Sequence, residues 1–182
     1  MADSNITELR PVEHITTDAI GPPGQRVFYI QGRKGMETVS VIVEKFQIET
    51  LAAGVEQFLA DLEGQVRSLS PASADYSQEQ MRIQPPVEPL FRAGQVGLAY
   101  DEVDDLMALE MRQILMPERD QDAEIDIADQ LVVRFWCTRS QMRALVNWGL
   151  DVATQGRPLC PQCGQPMEPE GHLCPKKNGH KH

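Results

Sequence analysis

The last two dozen residues, 159–182, constrain what this chain can fold into more than any other stretch. Three of its four cysteines and three of its four histidines lie there. Cys160-Pro-Gln-Cys163-Gly164 has the form of a zinc knuckle, in which two thiolates three positions apart bind one tetrahedral ion. Gly164 lets the chain turn after the second cysteine, and Cys174 supplies a third sulfur after ten intervening residues. The spacing predicts a metal site.

The fourth ligand is open between two histidines. His172 lies two residues before Cys174, so on an extended segment both side chains point the same way. His180 lies six residues after Cys174 and is reached through a loop at Asn178-Gly179. A hairpin that turns near residues 169–171 would carry His172 away from the knuckle. This geometry favours His180 slightly, and both histidines stay candidates.

Other interpretations of the cysteines fit the sequence less well than a structural zinc site. A thioredoxin-like redox pair opens a helix, but Pro166 and Pro169 follow Cys163 too closely for one to form. The amino terminus has no secretory signal, so a reducing cytoplasm is expected and a disulfide is disfavoured. An iron–sulfur cluster usually requires four cysteines. Three thiolates and one imidazole complete a structural zinc shell and leave no open catalytic position.

The charge of the chain is unevenly distributed. The formal net charge is −10, of which the tail, residues 157–182, contributes +2 and residues 1–156 contribute −12. A body this acidic repels phosphate backbones, which disfavours nucleic acid as a partner except through the tail. No apolar run approaches the roughly 20 residues that span a bilayer. We expect an α+β domain at 1–156 and a zinc-binding tail at 157–182.

Two successive series of strand and helix signals define the expected body. Apolar residues recur at steps of three and four between Ile48 and Leu69, which predicts an amphipathic helix. Thr138 and Gln141 form the capping box of a second helix, which ends by Gly156. Residues 70–89 are an expected loop. The expected strands span 12–20, 26–31, 37–46, 95–100, 106–115 and 131–138.

This order predicts an α+β fold with an antiparallel sheet and two packed helices, and it is compatible with a duplication of three strands and a helix. Residues 1–10 are an expected polar lead-in. The acidic residues at 117–129 are expected to form a solvated loop, because a calcium loop would need a glycine at its sharp turn. Cys137 lies in an apolar strand and is expected to be a buried, inert thiol.

The tail pattern as a whole resembles the end of a bacterial family of unknown function that is best known from actinobacteria. Its elements are Cys160-Pro-x-Cys163-Gly-x-Pro, Pro-x-Gly-His172-x-Cys174-Pro and Asn-Gly-His180. The resemblance extends over the whole chain, although an arginine is commoner where Lys176 stands. Members are encoded near a phosphoglycerate-mutase-like and a lipid-kinase-like protein, which implies a phosphate-related process. The resemblance assigns no catalytic residue.

Three functions fit these observations, in decreasing order. The first is a non-catalytic binding or assembly module whose zinc tail pins the carboxy terminus or contacts another protein. The second is an enzyme or binding protein for small phosphorylated metabolites, with His14 as acid or base and Arg26, Arg33 and Lys34 as the basic residues. The third is a nucleic-acid accessory protein that acts through the tail. No nucleophile–base arrangement is evident, which favours the first.

Overall fold

The chain forms two successive units, each of three strands followed by a helix, after one short amino-terminal strand. The computed structural model describes residues 5–66, 69–115, 130–155, 160–164, 167, 174 and 176, and these contain seven strands and two helices. The elements are β1 (Ile6–Leu9), β2 (His14–Ile20), β3 (Val27–Lys34), β4 (Glu37–Val43), α1 (Lys45–Gln65), β5 (Pro89–Asp101), β6 (Leu106–Gln113), β7 (Val132–Thr138) and α2 (Arg139–Thr154). The predicted α+β class is confirmed.

The strands form one seven-stranded sheet in the order β1-β7-β6-β5-β4-β3-β2. Neighbours within each unit are antiparallel, but β4 pairs with β5 and β1 pairs with β7 in parallel. This corrects the expected antiparallel sheet to a mixed one. The reason lies in the connection, because α1 and the loop after it return the chain to the end of the sheet where β4 began. The next strand therefore runs in the direction of β4.

The amino-terminal strand β1 corrects the expectation of a polar lead-in at residues 1–10. It pairs with β7 from Ile6 to Leu9, and Leu9 is buried. Its sequence signal is weak because its four residues include only two apolar side chains. The strand expected at 26–31 is also longer in the structure, since β3 continues through Lys34 and the turn to β4 consists of Gly35 and Met36.

The sheet curls so that its two ends meet. Its edge strands β1 and β2 are joined by only four residues, 10–13. Within this connection, the N–H of Val12 donates to the Trp136 carbonyl on β7 at 2.7 Å. The next N–H, of Glu13, donates to the Arg33 carbonyl on β3 at 2.9 Å. Strands from opposite ends of the sheet therefore enclose the same core.

Gly32 on β3 makes this closure possible. A Cβ added there would lie 2.7–2.9 Å from three atoms of the Phe135 ring on β7, and Phe135 is fully buried. We expect Gly32→Ala to lower the free energy of unfolding by about 1–3 kcal/mol, the usual cost of overpacking, in urea denaturation. Gly97→Ala on β5 is the matched control, because its added Cβ would meet nothing within 4 Å. Equal losses from both substitutions would contradict the clash.

The two helices pack against each other and against the sheet. The predicted capping box of α2 is confirmed, since the N–H of Gln141 donates to Thr138 Oγ1 at 3.1 Å and the N–H of Thr138 donates to Gln141 Oε1 at 2.9 Å. Trp148 of α2 is fully buried, and its Nε1–H donates to the Thr17 carbonyl on β2 at 2.7 Å. This bond therefore attaches α2 to the backbone of β2, the last strand in the order of the sheet.

The loop before β5 contains no helix or strand among its described residues, as expected, but it covers β2. Thr16 donates through its hydroxyl to the Met81 carbonyl, and the N–H of Ile83 donates to Asp18 Oδ2 at 3.3 Å. Thr16 and Asp18 are consequently buried at 0% and 6% exposure. Their hydrogen bonds compensate the loss of water around these polar side chains.

An ion pair fixes the start of α2. Arg139 is buried and donates to both carboxylate oxygens of Asp105, at 2.8 and 3.1 Å. These bonds are the main reason that the pKa of Asp105 lies below its ordinary value. Asp105 has a positive φ of 50°, a conformation that asparagine also tolerates.

This pair predicts a pH-dependent contribution to stability. A carboxylate with a lowered pKa stabilises the folded state above its unfolded pKa, about 3.9, and the contribution is lost as the pH falls through the folded pKa. We expect Asp105→Asn to cost about 1 kcal/mol near pH 7, because the carboxylate is partly exposed and screened. The difference from wild type, followed by urea denaturation at several pH values, should shrink as the pH falls below about 3.9 and disappear below the lowered pKa of Asp105. A difference independent of pH would contradict this origin.

Several expectations lie outside the described residues. They include the acidic loop at 117–129, both candidate zinc histidines and the boundary at residue 156 between body and tail, which stay predictions. Within the described part of the chain, neither helix combines the length and apolarity needed to cross a bilayer.

Candidate metal centre

The three tail cysteines meet at one point. The Sγ atoms of Cys160, Cys163 and Cys174 all lie within 4.8 Å of one another, and those of Cys160 and Cys174 are 3.8 Å apart. A tetrahedral ion with metal–sulfur bonds of about 2.3 Å holds its sulfurs about 3.8 Å apart. The predicted cysteine cluster is confirmed, and its dimensions suit one tetrahedral metal ion.

A tight turn holds the first two cysteines. The N–H of Gly164 donates to the Cys160 carbonyl at 2.8 Å, which closes the turn over residues 161–163. Gly164 has a φ of 72°, in the left-handed region that favours glycine. The side-chain oxygen of Gln162, within the turn, lies 3.8 Å from Cys174 Sγ. The knuckle is thus fixed by its backbone, and Cys174 packs against it.

The three sulfurs differ in their exposure to solvent. Cys160 and Cys174 are 6% and 5% exposed, whereas Cys163 is only partly buried. Sulfur donors select zinc, copper(I) or iron–sulfur clusters over calcium and magnesium, which bind oxygen. A divalent ion would also stabilise the thiolate form of the three side chains, which is the form that binds metal.

The fourth cysteine does not belong to the cluster. Cys137 lies on β7 and is fully buried, and burial raises the pKa of its thiol to about 12. It is therefore a protonated thiol at neutral pH, which fits the expectation of a buried, inert residue.

The structure brings two of the other candidate residues together. His14 on β2 and Arg33 on β3 are cross-strand partners. Nε2 of His14 lies 2.7 Å from the Gln80 carbonyl, whereas the buried Nε of Arg33 has no hydrogen-bond partner among the described residues. Lys34 donates to the Arg10 carbonyl. His14 also contributes to a cavity of about 200 Å³ between β2, residues 75–81 of the loop before β5, and α2.

Arg26 lies apart from this group. It precedes β3, whereas Arg33 is near the other end of that strand, so about 23 Å of extended chain separates the two residues. The guanidinium of Arg26 lies 5.2 Å from the centre of the Phe28 ring, and its pKa is lowered by burial. The predicted basic residues therefore do not converge on one small ligand.

A cleft that the sequence did not suggest lies between α1 and β5. Its volume is about 370 Å³, and it is lined by Phe46, Gln47, Thr50, Leu51, Gly54, Gly94, Val96, Gly97 and Leu98. The sequence predicted only a strand at 95–100 and a helix from Ile48, and a gap between two such elements has no sequence signal. None of these lining side chains is titratable, and the polar ones are Gln47 and Thr50.

Comparison with known proteins agrees with the expected family class. A family model described as a protein of unknown function (DUF3090) matches residues 7–174. No curated protein and no solved structure matches the chain. The matched span contains the three clustered cysteines and His172, and it ends before His180. The expectation of an uncharacterised family over most of the chain is confirmed, whereas its bacterial, mainly actinobacterial, membership stays a prediction.

Proposed function

The chain belongs to the DUF3090 family, whose function is unknown, and we propose that it is a non-catalytic binding or assembly protein with a structural zinc ion. The zinc ion is bound by Cys160, Cys163, Cys174 and either His172 or His180. Its task is to fold the tail, which pins the carboxy terminus or presents a surface to another protein. The observation that supports this most strongly is the meeting of three sulfurs at tetrahedral spacing.

A structural role for the ion follows from the number of its ligands. Three thiolates and one imidazole fill the four positions of tetrahedral zinc, and no position is left for water or substrate. Binding of zinc by such a set contributes directly to folding, because the ligands are not held together in the unfolded chain. The described tail residues, 160–164, 167, 174 and 176, belong to no helix or strand, so the ion would take the place of a hydrophobic core around them.

A partner protein is favoured over nucleic acid by the charge distribution. Residues 1–156 carry a net charge of −12 and repel phosphate, whereas the tail carries +2. Lys176 in the tail is exposed, and with Lys177 and Lys181, its neighbours in sequence, it would suit an acidic surface of a partner. If nucleic acid bound the tail instead, its affinity would fall steeply with added salt.

Two measurements test this proposal together. Elemental analysis of protein purified without added metal should find one zinc ion per chain. Tagged wild-type protein and its Cys174→Ser variant should then be recovered from cells, and the co-purifying proteins quantified. A partner that is lost with the variant but retained with Cys137→Ala supports a recognition role. Unchanged partners would contradict that role, and absence of zinc would contradict the proposed metal centre.

A second candidate function is binding of a small phosphorylated ligand by His14 and Arg33. The specific observation is that these two residues are cross-strand partners and that, within the part of the chain that the structure describes, the buried Nε of Arg33 lacks a hydrogen-bond partner. Guanidinium groups bind phosphate through paired N–H donors. Calorimetric titration with inorganic phosphate should then detect binding that Arg33→Gln removes and Arg26→Gln retains. Equal weakening by both variants would indicate only general charge attraction.

A further inference from the structure

We propose that hydrogen peroxide oxidises the tail cysteines, beginning at Cys163, and that this oxidation releases the metal ion reversibly. The inference rests on the proposed function, because it requires the cysteines to hold zinc. It adds a site of oxidative modification and makes the fold of the tail dependent on the redox state of its surroundings.

The difference in exposure among the three sulfurs selects the point of attack. Cys160 and Cys174 are buried, at 6% and 5% exposure, whereas Cys163 is partly accessible to solvent. A metal-bound cysteine is a thiolate, the form that reacts with peroxides. A small oxidant that arrives from solvent therefore meets the sulfur of Cys163 first.

The proximity of the sulfurs supplies the second reactant. Each of the two buried sulfurs lies within 4.8 Å of Cys163 Sγ. A disulfide bond requires a separation of about 2.05 Å, so the two sulfurs must approach each other by less than about 3 Å. No sulfur has to be recruited from another part of the chain or from a second molecule.

The chemistry consists of two displacements. The Cys163 thiolate attacks one peroxide oxygen, the O–O bond breaks, and the leaving hydroxide takes up a proton to become water. The product is a sulfenic acid. A neighbouring thiolate then attacks its sulfur, the S–O bond breaks, and the second hydroxide also takes up a proton. Two thiolates are thus oxidised by two electrons to a disulfide, while one hydrogen peroxide and two protons become two waters.

Metal release follows from the loss of two ligands. A disulfide sulfur carries no charge and is a poor donor, so zinc would retain only one thiolate and one imidazole. The oxidation state of zinc does not change. Cys137 does not compete for the oxidant, because it is fully buried and protonated. It therefore serves as an internal reference for thiol reactivity.

The experiment uses the purified full-length chain. Zinc is first measured in untreated protein, and the protein is then exposed to a series of hydrogen peroxide concentrations. A chromogenic chelator records released zinc, while samples quenched in acid at early times are mapped by mass spectrometry. We expect zinc to fall from one per chain to near zero, with one disulfide formed per ion released. Every early disulfide should include Cys163, and Cys137 should stay unmodified. Dithiothreitol and added zinc should restore the starting state.

Different results would contradict the oxidation of the cysteines, the entry at Cys163 and the presence of zinc. Zinc that is present and retained at oxidant concentrations sufficient to oxidise a free zinc-knuckle peptide would overturn this inference and leave the proposed function standing. A first disulfide between Cys160 and Cys174 would overturn the entry at Cys163. Absence of zinc from untreated protein would overturn both proposals. The Cys137→Ala variant should release zinc like wild type, which excludes an effect of the buried thiol.

Discussion

Cys174→Ser protein should be purified without zinc, whereas wild-type protein should contain one zinc ion per chain. A serine hydroxyl stays protonated at neutral pH and is a far weaker zinc ligand than a thiolate. Zinc in sites of this type contributes about 10–16 kcal/mol of apparent binding free energy, so loss of one of three thiolates should lower the affinity by orders of magnitude. Elemental analysis of both proteins, purified in parallel, measures the effect.

Three control variants test whether zinc is lost only when a metal ligand is replaced. Cys137→Ala should retain the full zinc content, because Cys137 lies in the core on β7 and outside the cluster. Of His172→Ala and His180→Ala, only one should lose zinc, which would identify the fourth ligand. Retention of zinc by Cys174→Ser would show that the cluster is not the metal site.

Trp148→Ala should have the largest effect on the stability of the body. The indole is fully buried, donates to the Thr17 carbonyl at 2.7 Å and meets the Tyr76 ring edge-on, with 6.0 Å between ring centres. Truncation of a buried tryptophan costs about 3–5 kcal/mol, and here it also removes the shorter of two hydrogen bonds to the Thr17 carbonyl, since the Thr16 hydroxyl lies 3.3 Å from the same oxygen. Urea denaturation followed by circular dichroism measures the loss.

The matched control lies on the same helix. Leu150 is 39% exposed, so Leu150→Ala should lower the free energy of unfolding by less than about 1 kcal/mol. Trp148→Phe should fall between the two, because it keeps an aromatic ring and loses the N–H donor. A similar small loss of unfolding free energy for all three variants would contradict the role of Trp148 in holding α2 against β2.

Sequence patterns predicted the elements with strong local signals. The apolar stripe of α1 and the capping box of α2 agree with the structure, as does the strand expected at 106–115, which ends at Gln113. In each case neighbouring residues in sequence determine the local conformation. The parallel pairings and β1 were missed, because their stabilising contacts come from residues far away in the chain.

The loop that covers β2 also had no signal in the sequence. The run His14-Ile-Thr-Thr-Asp18 suggests a strand with a polar, solvated face, yet Thr16 and Asp18 are buried beneath residues 80–84. A segment that covers a sheet with its backbone has no periodic pattern. For the metal centre, the cysteine spacing alone predicted three meeting sulfurs, but spacing cannot choose between His172 and His180, since both can reach the knuckle.

The meeting of the two ends of the sheet also determines when the chain can complete its fold. Residues paired between β1 and β7 are separated by more than 120 positions, so their contact requires closure of a loop that includes nearly the whole body. A topology of this kind folds slowly for its size. During synthesis, β1 is made first but has no partner until β7 has left the ribosome. The nascent chain must therefore carry an unpaired strand through most of its translation, and only the finished body can shield it.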